Sequence, residues 1–108
     1  MELKRLKSIA EFSLEEVKKI PVYKSEKYEI KALCFEVGQK IPSHSHANSD
    51  EIFQIVKGLA KITVGNDEYK VSHGGVVVGK NGISHSVENI GDKRLIVKSM
   101  FVPPLEAY

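Results

Sequence analysis

GQKIPSHSHANSDEIFQIVKG, residues 38–58, carries both the period of the chain and most of its chemistry. Over Glu51 to Lys57, Ile52 and Val56 alternate with Phe53 and Ile55, the two-residue period of a β-strand rather than the 3.6-residue period of a helix. Both alternating sets are apolar, so both faces of this strand require cover. Ile41 to His46 reads as the preceding strand. In it His44 and His46, two residues apart, point to one face with Cα atoms about 6.5–7 Å apart and can offer their imidazoles to a single ion. Pro42 and the polar run Ala47 to Asp50 let the chain turn, so that the next strand returns beside the first with Glu51 near its start. A carboxylate there completes a set of three.

The same period extends outward from this stretch. Strands are predicted at Lys27 to Val37, Ile41 to His46, Glu51 to Lys57, Ala60 to Val64, Glu68 to Val71, Val76 to Val78, Ser84 to Asn89 and Arg94 to Val102. Gly65-Asn66-Asp67 is a hairpin turn, because Gly and Asn tolerate the positive φ such turns demand, and a second turn falls at Gly91-Asp92. About eight short strands at regular spacing imply two packed antiparallel sheets, a sandwich or a jelly-roll barrel. Before them, Ser13 with Glu16 has the form of a capping box. Leu14, Val17 and Ile20 follow at helical spacing up to Pro21, which predicts a short N-terminal surface helix over Ser13 to Ile20. Leu33, Phe35 and Val37 alternate with Ile30, Ala32 and Cys34, so this strand too is apolar on both faces. One face fills the barrel, and the other is expected to be covered by a second copy in a closed homodimer or by the helix and the tail after Pro103-Pro104.

A second stretch, GGVVVGKNGISHSVEN at residues 74–89, places His85 in phase with Val87 and Asn89 between Gly82 and Gly91. From a different strand, His85 can supply a fourth ligand. Three imidazoles and one carboxylate suit Fe, Mn, Ni, Co, Cu or Zn and poorly match Ca or Mg. On an octahedral ion they leave two positions open, as a catalytic metal requires.

The spacings of the two stretches resemble those of the cupin superfamily. Residues 38–58 run Gly, five residues, His-x-His, four residues, Glu, six residues, Gly, and every position is that of the first cupin motif. Residues 74–89 follow the second motif with one departure, Lys80 where that motif has Pro, and the Asn81-Gly82 turn can form without it. The resemblance covers about residues 30–102 and is closest to the small single-domain members. It implies an all-β double-stranded β-helix, or jelly-roll barrel, with its core at about 28–102 in a single domain 1–108. It also implies one divalent transition metal held by His44, His46, Glu51 and His85 inside the barrel mouth. Only fifteen residues separate Gly58 from Gly74, enough for one hairpin and no lid.

Composition narrows the function classes. A chain of 108 residues, 42% hydrophobic and 28% charged, has the size of one globular domain. It contains no apolar run of the roughly 18 residues a membrane span needs and no apolar signal core at its start. The net charge of +2 is too small and too scattered to suggest a nucleic-acid or membrane partner. A lone Cys34 fits a reducing cytoplasm. Two function classes remain. In one, a small metal-dependent enzyme of dioxygenase, isomerase or lyase type acts on an organic substrate chelated at the metal, with Glu51 both ligand and proton acceptor. In the other, a binding or sensing module holds a small molecule or the metal without chemistry. His73 is expected on an exposed loop and Cys34 in the core. Candidates for an apolar pocket wall are found among Phe35, Phe53, Ile55, Ile62 and Met100.

Overall fold

The computed structural model describes residues 2–105. One helical turn, α1 (Leu6–Ile9), precedes nine strands: β1 (Lys18–Lys24), β2 (Glu29–Phe35), β3 (Lys40–His44), β4 (Asp50–Lys57), β5 (Ala60–Val64), β6 (Asp67–Val71), β7 (Val76–Gly79), β8 (His85–Asn89) and β9 (Leu95–Val102). They form a five-stranded sheet in the order β1-β2-β9-β4-β7 and a four-stranded sheet in the order β3-β8-β5-β6, with every pairing antiparallel. The result is the jelly-roll barrel that the strand spacing predicts, a double-stranded β-helix of two facing sheets.

Period-two alternation sorts the residues. Along β4, Glu51, Phe53 and Ile55 are buried while Ile52, Gln54 and Val56 are only half-buried. The inward sets of both sheets meet in one core that includes Leu33, Phe35, Phe53, Ile55, Ile62 and Val97. Each such side chain, moved from water to the interior, contributes roughly 1.5–3 kcal/mol. Between β5 and β6 only Gly65 and Asn66 intervene, and the positive φ falls on Gly65 at 58°. That places glycine at the first central position, as in a II′ hairpin.

The helix expected over Ser13 to Ile20 does not form. Leu14 to Glu16 bend, and Lys18–Lys24 is an edge strand paired with β2. The Ser13 hydroxyl accepts a hydrogen bond from the Glu15 amide at 3.2 Å, a local turn that takes the place of the capping box. Leu14, counted as part of an apolar helical face, is 87% exposed. The ladder with β2 satisfies a row of backbone groups at once, whereas an isolated two-turn helix gains little. Pro21 is tolerated because β1 lies at the edge and its register shifts between Pro21 and Tyr23.

Two further expectations change. The strand after the histidine pair does not return beside it: β3 pairs with β8 in one sheet, while β4 lies in the other. Glu51 therefore approaches His44 and His46 from the opposite sheet. The second apolar face of β2 is covered in part by the chain itself. The N-terminal segment runs along it: the Lys4 Nζ donates to the Val22 carbonyl, α1 packs against β9, Glu11 reaches Cys34, and Ser13 accepts from the Gln39 amide at 2.7 Å. Beneath it Ala32 and Cys34 are completely buried.

Candidate metal centre

The site is built where the two sheets face each other at one end of the barrel. Glu51 and Phe53 share the inward face of β4, and His85 opens β8. His44, the last residue of β3, is the cross-strand partner of His85, so these two rings are neighbours by register, with centroids 4.4 Å apart. His46 lies two residues beyond His44, just past the end of β3, with its ring 5.0 Å from that of His44. One ligand atom from each of His44, His46, Glu51 and His85 falls within 4.8 Å of the others. Glu51 Oε1 is the hub: His85 Nε2 lies 2.9 Å from it, and the Nε2 atoms of His44 and His46 both lie 3.6 Å from it.

Backbone contacts orient the imidazoles. Nδ1 of His44 lies 2.8 Å from the Pro42 carbonyl and Nδ1 of His85 lies 3.1 Å from the Ile83 carbonyl. A carbonyl accepts, so each Nδ1 carries a proton; in His44 this leaves the Nε2 lone pair toward the cluster, the arrangement common to ligating histidines, whereas His85 Nε2 donates to Glu51 Oε1 at 2.9 Å and must release that proton to ligate. The His46 Nε2 is buried without a hydrogen-bond partner. An orphaned buried nitrogen is costly, and a divalent cation at the centre of the cluster would satisfy it. The donor set fits a transition metal: three imidazole nitrogens and one carboxylate oxygen converge on a common point, with His85 giving up its Nε2 proton on binding.

Electrostatics set the protonation of the metal-free cluster. Burial opposes the charge on Glu51, yet hydrogen bonds from His85 and Ser99 outweigh it and hold the carboxyl below its ordinary range. His85 is raised above the ordinary imidazole value by its hydrogen bond to Glu51. His46 is lowered, chiefly by burial, and so is kept neutral and able to ligate.

Ser99 escapes a reading of the sequence alone. Its hydroxyl donates to Glu51 Oε2 at 2.5 Å, and the residue is completely buried. The available signal is phase: Leu95, Val97, Ser99 and Phe101 form the inward row of β9, and Ser99 is the one polar member. Elsewhere Lys80, in place of the motif proline, is exposed. The turn it starts closes through the Ile83 amide on the Lys80 carbonyl at 3.2 Å, with Gly82 at φ 76°, as in a type II turn. Asp50 accepts from the Asn81 amide at 2.8 Å, and Gly82 donates to the His46 carbonyl at 2.8 Å, so this loop braces the histidine segment. Asn89, the last motif residue, is buried and donates to the carbonyls of Glu36 and Lys93 at 3.1 and 2.9 Å, which ties two loops to β8.

A pocket of about 290 Å³ opens beside the cluster. Phe53 is the one member of the expected apolar wall that lines it, joined by Leu33, Ile41, Val87 and Phe101. Phe35, Ile55 and Ile62 are in the core, and Met100 points to the outer face. Cys34 also points outward, away from the cluster, and burial raises its thiol pKa. His73 is exposed in the loop before β7.

A small double-stranded β-helix barrel with three imidazoles and a carboxylate converging inside it defines a class of cupin-type domains with a site able to bind a metal. Residues 32–102 match the family described as cupin domain, and the chain belongs to that family. It is 30% identical over 83 residues to an uncharacterized protein of Methanocaldococcus jannaschii, covering 77% of this chain and 66% of that one, just under two thirds of its length. Among solved structures, TT1209 from Thermus thermophilus superposes with a TM-score of 0.93 at 28% identity, covering 97% of this chain and 100% of the other. An RmlC-like cupin protein from Desulfovibrio desulfuricans gives 0.87 at 23% identity over 97% and 99%, a likeness that bears on the fold alone.

Proposed function

We propose that this cupin is a small metal-dependent enzyme. One divalent transition ion would be held by His44, His46, Glu51 and His85, and a small organic substrate would chelate that ion in a dioxygenase or an isomerase/lyase type of reaction. The observation that supports it most is the placement of four convergent donors, one of them an orphaned buried nitrogen, on the wall of a pocket with apolar sides. When bound, such an ion supplies Lewis acidity or, if redox-active, an oxygen-binding site. The chain's own residues do the rest. Pro42 and Ile83 carbonyls orient two imidazoles, Ser99 holds the far oxygen of Glu51, and Phe53, Val87 and Phe101 form an apolar wall beside the site. Glu51, which would ligate through one oxygen while Ser99 holds the other, is the proposed proton acceptor.

The alternative is a module that binds a small molecule or the metal without turning it over. It is favoured by the pocket's inventory: among the described residues lining it, no carboxyl or imidazole stands outside the four-residue cluster. Metal analysis of protein purified without added metal or chelator tests both readings, which fail together if sites are empty and cannot be reconstituted. Oxygen uptake by the iron form with catechols, β-diketones or flavonols marks a dioxygenase. Turnover of sugar phosphates without oxygen uptake marks an isomerase, and ligands recovered unchanged mark a binding module.

A homodimer in a reducing cytoplasm belongs to the same proposal. On the outer face of the five-stranded sheet, Tyr23, Ile30, Met100, Ile52 and Val78 stand in one cross-strand row, and Tyr23 and Val78 are 47% and 49% exposed. A continuous apolar row of this kind suits a two-fold contact. Sedimentation of wild type and Ile52→Lys tests it: a monomeric wild type refutes the dimer.

A further inference from the structure

The concave face of the five-stranded sheet carries two cations that the histidine cluster does not use. Lys31 of β2 stands opposite Ser99 of β9, which stands opposite Phe53 of β4, and Lys19 of β1 stands opposite Leu33. Paired residues share a face, so both lysines lie on the side that bears Ser99 and Phe53, and as diagonal neighbours they are about 7–8 Å apart. Both line the pocket together with His44, His46 and Glu51. The Lys31 Nζ sits 5.6 Å from the centre of the Phe101 ring, which packs edge-on against His46 at 5.3 Å. The ammonium is thus held over the same wall as one of the imidazoles.

Two ordinary explanations do not account for Lys31. Inward lysines protect exposed sheet edges, which covers Lys19 on β1, but β2 lies between β1 and β9. An ion pair with Glu29 engages Lys31 only at 3.9 Å, and an ammonium has three donors to place. With a single long ion pair and its side chain 24% exposed, the Lys31 ammonium keeps donors free for a ligand in the pocket.

We propose that the pocket takes a small organic anion whose carboxylate is held by Lys31, with Lys19 at the rim, and whose second oxygen donor faces the histidine cluster. The second half of this assignment rests on reading the cluster as a metal site; the first half does not. Size suits a small ligand, since about 290 Å³ lies just below the usual 300–1,000 Å³ range for pockets that hold drug-sized molecules. Lysine holds carboxylate and phosphate alike as a point charge, and no arginine or helix N-terminus faces the pocket among the described residues, so competition with inorganic phosphate decides between the two anions.

The test is titration of the cobalt(II)-loaded protein with malonate at low ionic strength, followed by calorimetry and by the visible absorption of the metal. Lys31→Met keeps the stem that packs on Phe101 and removes the charge. It should weaken malonate binding by about tenfold or more at unchanged cobalt content, and Lys19→Ala by a smaller factor. Dimethyl malonate, which lacks the charge, should bind at least about tenfold more weakly than malonate. Equal malonate affinity in wild type and Lys31→Met, or equal affinity for the diester, overturns the proposal, and inorganic phosphate outcompeting malonate overturns the carboxylate assignment. If cobalt does not load, the metal reading fails by itself. Malonate binding by the metal-free protein that disappears in Lys31→Met then upholds the role of the lysine, and its absence overturns it.

Discussion

Replacing Ser99 by alanine probes the interaction that fixes the charge at the centre of the site. The hydroxyl is completely buried and donates to Glu51 Oε2, while Oε1 keeps its bond to His85. Ser99→Ala removes one oxygen atom, so the packing loss is small beside the loss of a hydrogen bond to a buried carboxylate. A bond to a charged group contributes about 1.5–3 kcal/mol. In the metal-free protein the expected loss of stability is therefore about 2 kcal/mol, which for a domain of this size lowers Tm by on the order of 10 °C. Loss of this donor should also raise the Glu51 carboxyl toward its ordinary range. In the metal-loaded protein the same change should weaken metal affinity about 10–100-fold, the usual consequence of removing a group that orients a ligand. Urea unfolding with and without chelator gives the first quantity, and competition with a metal indicator dye gives the second. Stability within about 0.5 kcal/mol of wild type, together with unchanged metal affinity, would refute the idea that Ser99 holds the carboxylate in place.

Other outcomes follow from the same geometry. His46→Ala should abolish stoichiometric metal uptake yet leave metal-free stability within about 1 kcal/mol, because the lost Nε2 has no partner; unchanged metal content by elemental analysis counts against the assignment. In the metal-free protein Glu51 is held low, so its contribution is in place above the unfolded-state carboxyl value and is lost as pH falls through the folded one. His85 is held above 6.5, so its contribution is in place below that value and is lost as pH rises through the folded one. Unfolding across pH should show both flanks, and metal affinity should climb on the alkaline flank as His85 releases its proton; a flat profile contradicts this coupling. Gly58→Ala places a Cβ at φ 98° and 2.7 Å from the Arg94 carbonyl, so denaturant midpoints should report a loss of about 1–3 kcal/mol, whereas Gly74→Ala, with open space around it, should lose less.

Local chemistry made much of this protein legible in its sequence. Period two places Glu51 with Phe53 and Ile55, and His85 with Val87, on inward faces, because alternation is a property of the strand backbone itself. Gly65-Asn66 ends a strand for an equally local reason, the positive φ that glycine accepts. The ligand types and their spacing could thus be read without knowing what faces what. The segment before Pro21 was misread because its local signals, a serine, a glutamate and helical spacing, were real but weak. The ladder offered by β2 lies ten or more residues away and leaves no mark on that segment.

Tertiary structure decided the rest. It assigned β3 and β4 to opposite sheets, so that Glu51 meets the histidines across the barrel rather than beside them. It brought Ser99, 48 residues from Glu51, to the carboxylate, and set Lys31 beside the pocket through a register shared with β9. It also laid the N-terminal segment over the face that the sequence left in need of cover. Each of these depends on pairings between distant strands, whose order and register are set by the packing of the whole barrel. Alternation tells a residue which way to point, and only the assembled sheets determine what it meets there.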